Sequence, residues 1–409
     1  MIEYFLWIVS LLGLYIGVFW TQVAFMDDKE TSKKKINWPL VSFIVPAWNE
    51  ESTLRKTIES LVKLDYPKKQ IIIVNDGSTD STEEIAKALI REYKDIELIN
   101  RKRSPEQFTK APALNVGLKH AKGEYVACLD SDSTVEPDSL KKLLPLFEDN
   151  TAAVISAIKV SNPRTVFAKI QRIEYILATF VRTLMSRIDT LHITPGALSV
   201  YKTSVIKKLG GFDEENITED YEIAMRLRYN GYTLKMQPQS ISYTAVPETF
   251  KGLWDQRVRW FRGFIMTSLK YKKMFGNRKL GMMGVFQYPL NIITFSVIII
   301  GFTLFTYEWS TSIYTIGKKL WILGLGVFDI IKTPSFTDVL MKTNIKIIFP
   351  IIISLGVGLY IYYLAHKAMK EKLRFPLAFI IYLFLYPPLR TMHWITAVYK
   401  ETFRRKRKW

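Results

Sequence analysis

The stretch Tyr4–Phe25, YFLWIVSLLGLYIGVFWTQVAF, contains no charged residue. As a helix it is long enough to cross a bilayer core of about 30 Å. Two further runs of this kind, Gly284–Tyr307 and Ile345–Ala365, lie towards the other end, and none occurs between Asp27 and Met283. A soluble-type domain clasped by membrane segments is the architecture that this distribution permits. The first run has neither a basic leader nor a small-residue cleavage site, so it reads as an anchor and not a signal peptide. Phe375–Tyr399 is also apolar but is interrupted by Pro387–Pro388, and reads as a re-entrant or interfacial piece; Leu320–Ile331 is too short to cross alone.

The chain has 409 residues and a formal net charge of +19. Such a charge suits nucleic acid, anionic lipid or an anionic substrate. The basic residues cluster at Lys29–Lys35, His366–Arg374 and Arg404–Trp409, beside the apolar runs, where anionic lipid accounts for them. No nucleic-acid partner is therefore expected. By the positive-inside rule the middle domain is cytosolic, which makes the expected location the plasma membrane, crossed several times. The single cysteine, Cys128, lies in the apolar run YVACLD and reads as a small buried hydrophobe.

The middle domain alternates short Val/Ile-rich runs with helical patterns. The runs are Val41–Val45, Ile71–Asp76, Ile96–Asn100 and Tyr125–Asp130; the helical patterns are Glu51–Leu64, Thr79–Tyr93, Ala111–Ala121 and Asp138–Glu148. Asp80 or Ser81 is placed to cap the second helix, with Glu83 and Glu84 in its first turn. Alternation of this kind predicts an α/β fold with a mostly parallel sheet, which binds ligands beyond the carboxyl ends of its strands. Polar clusters stand at those ends: VPAWNE (Val45–Glu50), NDGST (Asn75–Thr79) and LDSDS (Leu129–Ser133).

No G-x-G-x-x-G follows the first strand and no G-x-x-x-x-G-K-[ST] occurs anywhere, so the usual glycine-rich phosphate cradles are absent. A divalent cation held by Asp130 and Asp132 is the alternative, since Mg²⁺-type sites pair one or two carboxylates with phosphate oxygens. A calcium loop starting at Asp130 fails, because Val135 and Lys141 stand where Gly and Glu are required.

VPAWNE, IIIVNDGSTDST, KAPALNVG, LDSDS, ITEDYE and QRVRW occur in one order along the chain. In that order and spacing they resemble the family 2 inverting glycosyltransferases, and most closely the membrane-embedded processive synthases of hyaluronan, chitin, cellulose and poly-N-acetylglucosamine. The resemblance covers about Val41 to Gly263 and the flanking apolar segments, leaving Thr306–Asn344 without a counterpart. It implies a GT-A, Rossmann-like, mostly parallel sheet with flanking helices, embedded between transmembrane and interfacial helices. The expected division is an anchor over 1–26, a cytosolic catalytic domain over 27–248, an interfacial helix carrying QRVRW over 249–283, and a membrane or re-entrant region with a basic tail over 284–409.

The resemblance also implies roles. Pro46, Asn49 and Glu50 would frame the nucleotide, Asp76 would bond the uracil edge, and Lys110 would approach the nucleotide. Thr109 stands where the family commonly has glycine, and Pro112 lies inside the same motif. Asp132 would hold Mg²⁺ or Mn²⁺ with the diphosphate, and Asp130 would share the metal or sit by the ribose. Asp220 would be the general base, with Glu219 beside it. Gln256, Arg259 and Trp260 share one helix face; Arg259 would neutralise the departing diphosphate and Trp260 would offer a flat surface to the acceptor sugar. Arg257 and Arg262 point elsewhere and read as lipid-headgroup or structural contacts. Thr165–Leu191 has the spacing of an amphipathic helix at the membrane surface, and Gly196 and Ala197 would let a sugar approach closely.

The activity so implied is transfer from a UDP-sugar, with UDP-N-acetylglucosamine the expected donor, to a growing β-linked polysaccharide passed through the protein's own channel. The rival acceptor is a lipid, polyprenyl phosphate or a diacylglycerol, receiving one sugar. A non-catalytic channel or scaffold with a decayed transferase domain is opposed by the retention of all the motif acids. Expected partners are the donor, the glycan or lipid-linked acceptor and membrane lipids, with room for a small accessory membrane subunit.

Overall fold

The computed structural model describes residues 2–26, 38–104, 106–107, 109–324, 345–372 and 377–403. The basic clusters at 29–35 and 404–409 lie outside the described residues, as does most of the 320–331 stretch.

Helix α1 (Ile2–Ala24) leads into an alternating series: β1 (Val41–Ala47), α2 (Leu54–Val62), β2 (Lys69–Asp76), α3 (Thr82–Glu92), β3 (Ile96–Arg101), α4 (Ala111–His120) and β4 (Tyr125–Leu129). There follow β5 (Ser133–Val135), α5 (Ser139–Leu143), β6 (Thr151–Val160), α6 (Val166–Arg187), β7 (Ala197–Lys202), α7 (Thr203–Lys208) and α8 (Glu219–Tyr229). The chain closes with β8 (Thr233–Thr244), α9 (Phe250–Lys270), α10 (Tyr288–Leu323), α11 (Ile345–Ala368), α12 (Leu377–Phe384) and α13 (Tyr386–Thr402).

Two compact units result. One comprises Met1–Met26 with Leu290–Ala365, the other Asp27–Pro289 with His366–Trp409. The region expected as one block over 284–409 is thus divided between them. In the first unit small residues bring the helices together: a Cβ at Gly17 would lie 2.5 Å from Val357, and one at Gly301 3.0 Å from Phe5. Among the described residues three helical stretches are long and apolar enough to cross a membrane: Tyr4–Ala24, Met283–Leu323 and Ile351–Ala368.

The second unit is built on an eight-stranded sheet in the order β3-β2-β1-β4-β7-β6-β8-β5. β3, β2, β1 and β4 pair in parallel, β7 runs antiparallel to β4 and β6, and β8 is parallel to β6. β1 is buried along its whole length, as a parallel strand covered on both faces must be. Leu54, Ile58 and Leu61 of α2 and Ala86 and Leu89 of α3 join Phe43, Val45, Ile71 and Ile73 in the main core. Asp80 Oδ1 accepts from the backbone N–H of Thr82, the first residue of α3, at 3.1 Å, Ser81 is the N-cap, and Glu83 and Glu84 occupy the first turn. The helix expected over 138–148 is cut short after Leu143 and continues as a 3-10 turn, since Pro145 supplies no N–H for an α-helical bond.

Helix α6 differs from its expected surface position. It packs on β6 and β8 with one side and meets α12 with another. Ile170, Ile173, Ile176 and Phe180 are buried, and beyond Lys169 none of its residues is exposed. The proline pair stands in the first turn of α13, which begins at Tyr386, so the last apolar stretch is broken at Leu385.

Candidate active site

One cavity of about 490 Å³ opens at the carboxyl ends of β1 and β4. Much of its wall comes from five places. The β1 tip contributes Pro46, Asn49 and Glu50, the N-terminal boundary of α4 contributes Lys110, and the β4 tip contributes Asp130 and Asp132. The first turn of α8 adds Glu219 and Asp220, and α9 adds Gln256, Arg259 and Trp260. All these residues were singled out in the sequence.

The loops carrying them are held in demanding conformations. Asn49 has φ 56° and its Oδ1 accepts from the Thr79 N–H at 2.8 Å, tying the β1 tip to the β2 tip. Leu198 has φ 73°, a costly value for a branched side chain, at a bulge where β7 leaves register with β4. The buried Ser156 and Ser242 hydroxyls donate to the carbonyls of Ala197 at 3.0 and 2.7 Å, holding that bulge. The N-terminus of α8 is brought to α9 by Gly263, where a Cβ would lie 2.0 Å from Thr218 Oγ1. Only glycine allows that approach, and it is what sets Asp220 against the Arg259 face of α9.

The electrostatics are dominated by acid. Lys110 Nζ pairs with Asp130 and lies 3.3 Å from Glu219 Oε1. Burial alone would lower the Lys110 pKa, but Asp130, Glu219 and Asp220 around it hold the ammonium well above the ordinary lysine value. Burial raises the carboxyls of Glu219 and Asp220, Lys110 works against this, and Asp130 adds to it. Asp132 is raised by burial and by Asp130, and its Oδ1 accepts from Ser133 Oγ at 3.0 Å and more distantly from Thr244. Glu50 is raised by burial while Thr53 and Ser131 oppose it.

This chemistry fits a hard divalent cation at Asp130 and Asp132: two neighbouring carboxylates at a cavity wall, one of them desolvated and bonded to hydroxyls. Among the described residues no group of three or more His, Cys, Asp or Glu is arranged for a metal. The remaining coordination would therefore come from ligand oxygens and water.

Residues 42–210 match the family model described as Glycosyl transferase family 2. Over those residues the chain is similar to the family 2 glycosyltransferases. A poly-beta-1,6-N-acetyl-D-glucosamine synthase of Staphylococcus epidermidis is 35% identical over 229 residues, 54% of this chain and 54% of that protein. The synthase of the same name from Staphylococcus aureus strain COL is 32% identical over 260 residues, 63% of this chain and 61% of that protein. The chain thus spans under two thirds of the length of these relatives. Among solved structures, the mannosyltransferase PcManGT from Pyrobaculum calidifontis, in complex with GDP-Man and Mn²⁺, superposes with a TM-score of 0.65. The match covers 99% of this chain and 100% of that one at 17% identity, a likeness of fold. The GT-A architecture expected from the motifs is the one observed.

Some placements in the sheet-bearing unit differ from expectation. Asp76 does not line the cavity: its carboxylate is bound by Arg101, by Arg103 at 2.8 Å and by Gln107 Nε2 at 2.6 Å. Two guanidinium groups, at the end of β3 and just after it, claim it, and Arg103 in turn lies 4.0 Å over the ring of Trp48, which is a cavity residue. Gly196 does line the cavity, but the space its missing Cβ leaves is filled by Asp130, whose Oδ2 would lie 2.2 Å from such an atom. The expected room for a sugar is room for a carboxylate. Arg257 and Arg262 are buried structural cations, not lipid contacts: Arg257 meets Glu174 and Arg262 meets Glu401, each at 2.5 Å.

Cavity residues that the motifs missed include Trp48, Tyr175, Thr244 and Ala245. Trp48 stands inside VPAWNE, and Thr244 ends a strand, so both carried a usable signal. Tyr175 carried none beyond its place on an amphipathic helix. Cys128 is buried as expected, and burial pushes its thiol pKa up.

Proposed function

We propose that this chain transfers N-acetylglucosamine from UDP-N-acetylglucosamine, with inversion, to the end of a growing β-linked polysaccharide. The observation that carries this reading is the single cavity collecting Asp130, Asp132, Glu219, Asp220, Gln256, Arg259 and Trp260. The relatives at 35% and 32% identity, named for poly-β-1,6-N-acetyl-D-glucosamine synthesis, support the sugar and a polymeric product over a lipid acceptor.

In this reading an acceptor hydroxyl attacks the anomeric carbon of the donor. The new carbon–oxygen bond forms as the bond to the diphosphate breaks, and UDP leaves with the electron pair. Asp220 takes the hydroxyl proton; its raised carboxyl pKa makes it a stronger base than an ordinary aspartate. Arg259 faces the charge that grows on the departing diphosphate, and Trp260 with Gln256 holds the acceptor. Pro46, Asn49 and Glu50 frame the nucleotide, and Asp76 secures that wall through Arg103 and Trp48. Mg²⁺ or Mn²⁺ held by Asp132 and Asp130 would neutralise diphosphate charge. Lys110 keeps Asp130 and Glu219 from repelling one another.

The same reading makes the sheet-bearing unit cytosolic and places the protein in the plasma membrane, with Lys and Arg beside the spans as its support. A channel between the spans would carry the product outward. The test is UDP release across a panel of UDP-sugars in proteoliposomes, with the product sized. UDP-N-acetylglucosamine should give a ladder of lengthening oligosaccharides, and Asp220→Asn should reduce turnover about 10²–10⁴-fold with donor affinity retained. One organic-extractable product, or full activity in Asp220→Asn, would overturn the proposal.

A further inference from the structure

Arg257 stands between the two α9 residues that the proposed reaction gives to the acceptor, yet it is only 1% exposed and does not line the cavity. Its Nη1 donates to Gln256 Oε1 at 2.5 Å, and its guanidinium carbon lies 4.0 Å from the centroid of the Trp260 ring. On its other side Nη2 donates to Glu174 Oε2 at 2.5 Å, and Nε donates to the Tyr386 hydroxyl at 3.2 Å. Tyr386 closes the triangle by donating to the same Glu174 oxygen at 2.9 Å. Three separate elements meet here: α6 supplies Glu174, α9 supplies Arg257, and the start of α13 supplies Tyr386.

We propose that Glu174 and Tyr386 are positioning residues that act through Arg257 to fix the acceptor platform made by Gln256 and Trp260. The proposal rests on the glycosyl-transfer reading of the cavity. A guanidinium is planar, and two partners on one edge set the plane in which it lies. That plane in turn fixes one face of the Trp260 indole by a cation–π contact, leaving the other face for a sugar ring. The bond to Gln256 aims that amide from the same anchor. None of the contacts in this triangle reaches Asp130, Asp132 or Lys110, so its loss should fall on the acceptor and not on the donor. It also gives the segment after α11 a part in the site, since Tyr386 belongs to it.

Full-length Glu174→Gln, Tyr386→Phe and Arg257→Lys proteins in proteoliposomes provide the test. UDP release is measured with UDP-N-acetylglucosamine alone, which reports slow transfer to water, and with added β-linked N-acetylglucosamine oligosaccharides. Glu174→Gln should raise the acceptor KM about tenfold, and Tyr386→Phe should raise it about threefold, in keeping with loss of a charged and a neutral hydrogen bond. Arg257→Lys keeps the charge but not the fork and should behave like Glu174→Gln. Donor KM and transfer to water should stay within about twofold in all three, and products should be shorter. An acceptor KM unchanged in Glu174→Gln sinks the proposal. So does a fall in transfer to water that tracks the acceptor-dependent rate in the mild Tyr386→Phe variant, which would mark the triangle as general scaffolding. If the wild type turns over no UDP-sugar, the transfer reading is what has failed. Equilibrium dialysis of the oligosaccharides against the same variants then decides the positioning role by itself.

Discussion

Two acid-bearing sites lie near the carboxyl edge of one sheet, and the protein treats them in opposite ways. At the β2 tip, Asp76 meets the two guanidinium groups of Arg101 and Arg103 and the amide of Gln107. At the β4 tip and the α8 start, Asp130, Glu219 and Asp220 share Lys110, with Asp132 beside them. The first is a closed joint in which the one carboxylate is fully answered, by two guanidinium groups and an amide. The second holds more acids than its lysine can answer, and Glu219, Asp220 and Asp132 are shifted upward, first by burial and further by Asp130. Folding alone gives no reason to gather those acids. A site that takes up a cation with a diphosphate ligand, and a proton from an acceptor, does give one.

The contrast can be broken most severely at Asp132. Asp132→Asn should cost on the order of 100-fold or more in UDP release and should weaken the apparent affinity for Mg²⁺ or Mn²⁺ by a similar factor, since even indirect partners of metal ligands are typically worth 10–100-fold. A metal titration of activity checks this, and an unchanged metal dependence would remove Asp132 from that role. Lys110→Met should come next. Without its ammonium the neighbouring acids ionise less readily, so the acid limb of the pH–rate profile should move towards alkaline pH and activity near pH 7 should fall roughly tenfold, equivalent to about one pKa unit. A uniform loss at every pH would show that Lys110 acts through the nucleotide instead.

Asp76→Asn should do less. The base should remain untouched, so kcat should hold within about twofold, while donor KM rises a few-fold as the Arg103–Trp48 wall loosens; a hydrogen bond to a charged group is worth about 1.5–3 kcal/mol, part of which the remaining amide keeps. Initial-rate kinetics over donor concentration separate the two constants. A collapse of kcat would mean that Asp76 serves the reaction directly.

The same division explains what the sequence revealed. β1 to β4 were legible because each is a short apolar run ending in a polar tip, and the motif residues at the tips of β1 and β4 line the cavity. The antiparallel half was not. β8 reads TLKMQPQSISYT, with Pro238 in mid-strand, and the proline is accommodated because register slips from Ser156↔Gln237 to Ala157↔Ile241. β7 depends on Leu198 at positive φ and on serines from β6 and β8, partners far away in sequence. The partners of Asp76 were illegible for a related reason: a D-G turn after a strand looks the same whether its carboxylate faces a ligand or two arginines. Arg257 was placed off the catalytic face by helical spacing, but its contact with Glu174 depends on how α6 meets α9, which no local pattern encodes.

The finest test concerns stability. The folded protein holds the Glu219 carboxyl above its ordinary pKa, chiefly by burial, so it binds that proton more tightly than the unfolded chain does. The stabilising effect of this shift is present below the ordinary glutamate pKa and is lost as pH rises through the folded value. At neutral pH ionised Glu219 therefore works against folding, although Lys110 offsets part of the cost. Glu219→Gln keeps the shape and removes the charge. Its apparent Tm in detergent at pH 7.5 should rise by about 2–4 °C, the shift that roughly 1 kcal/mol gives in a domain of this size. The gain should shrink as the pH is lowered towards 4, where wild-type Glu219 is protonated. The matched substitution Asp76→Asn should lower the Tm at pH 7.5, because it takes their shared carboxylate from two guanidinium groups. If both variants move the Tm in the same direction, the two acid sites do not differ in the way described, and the surplus charge at Lys110 is not a cost that the fold bears for its function.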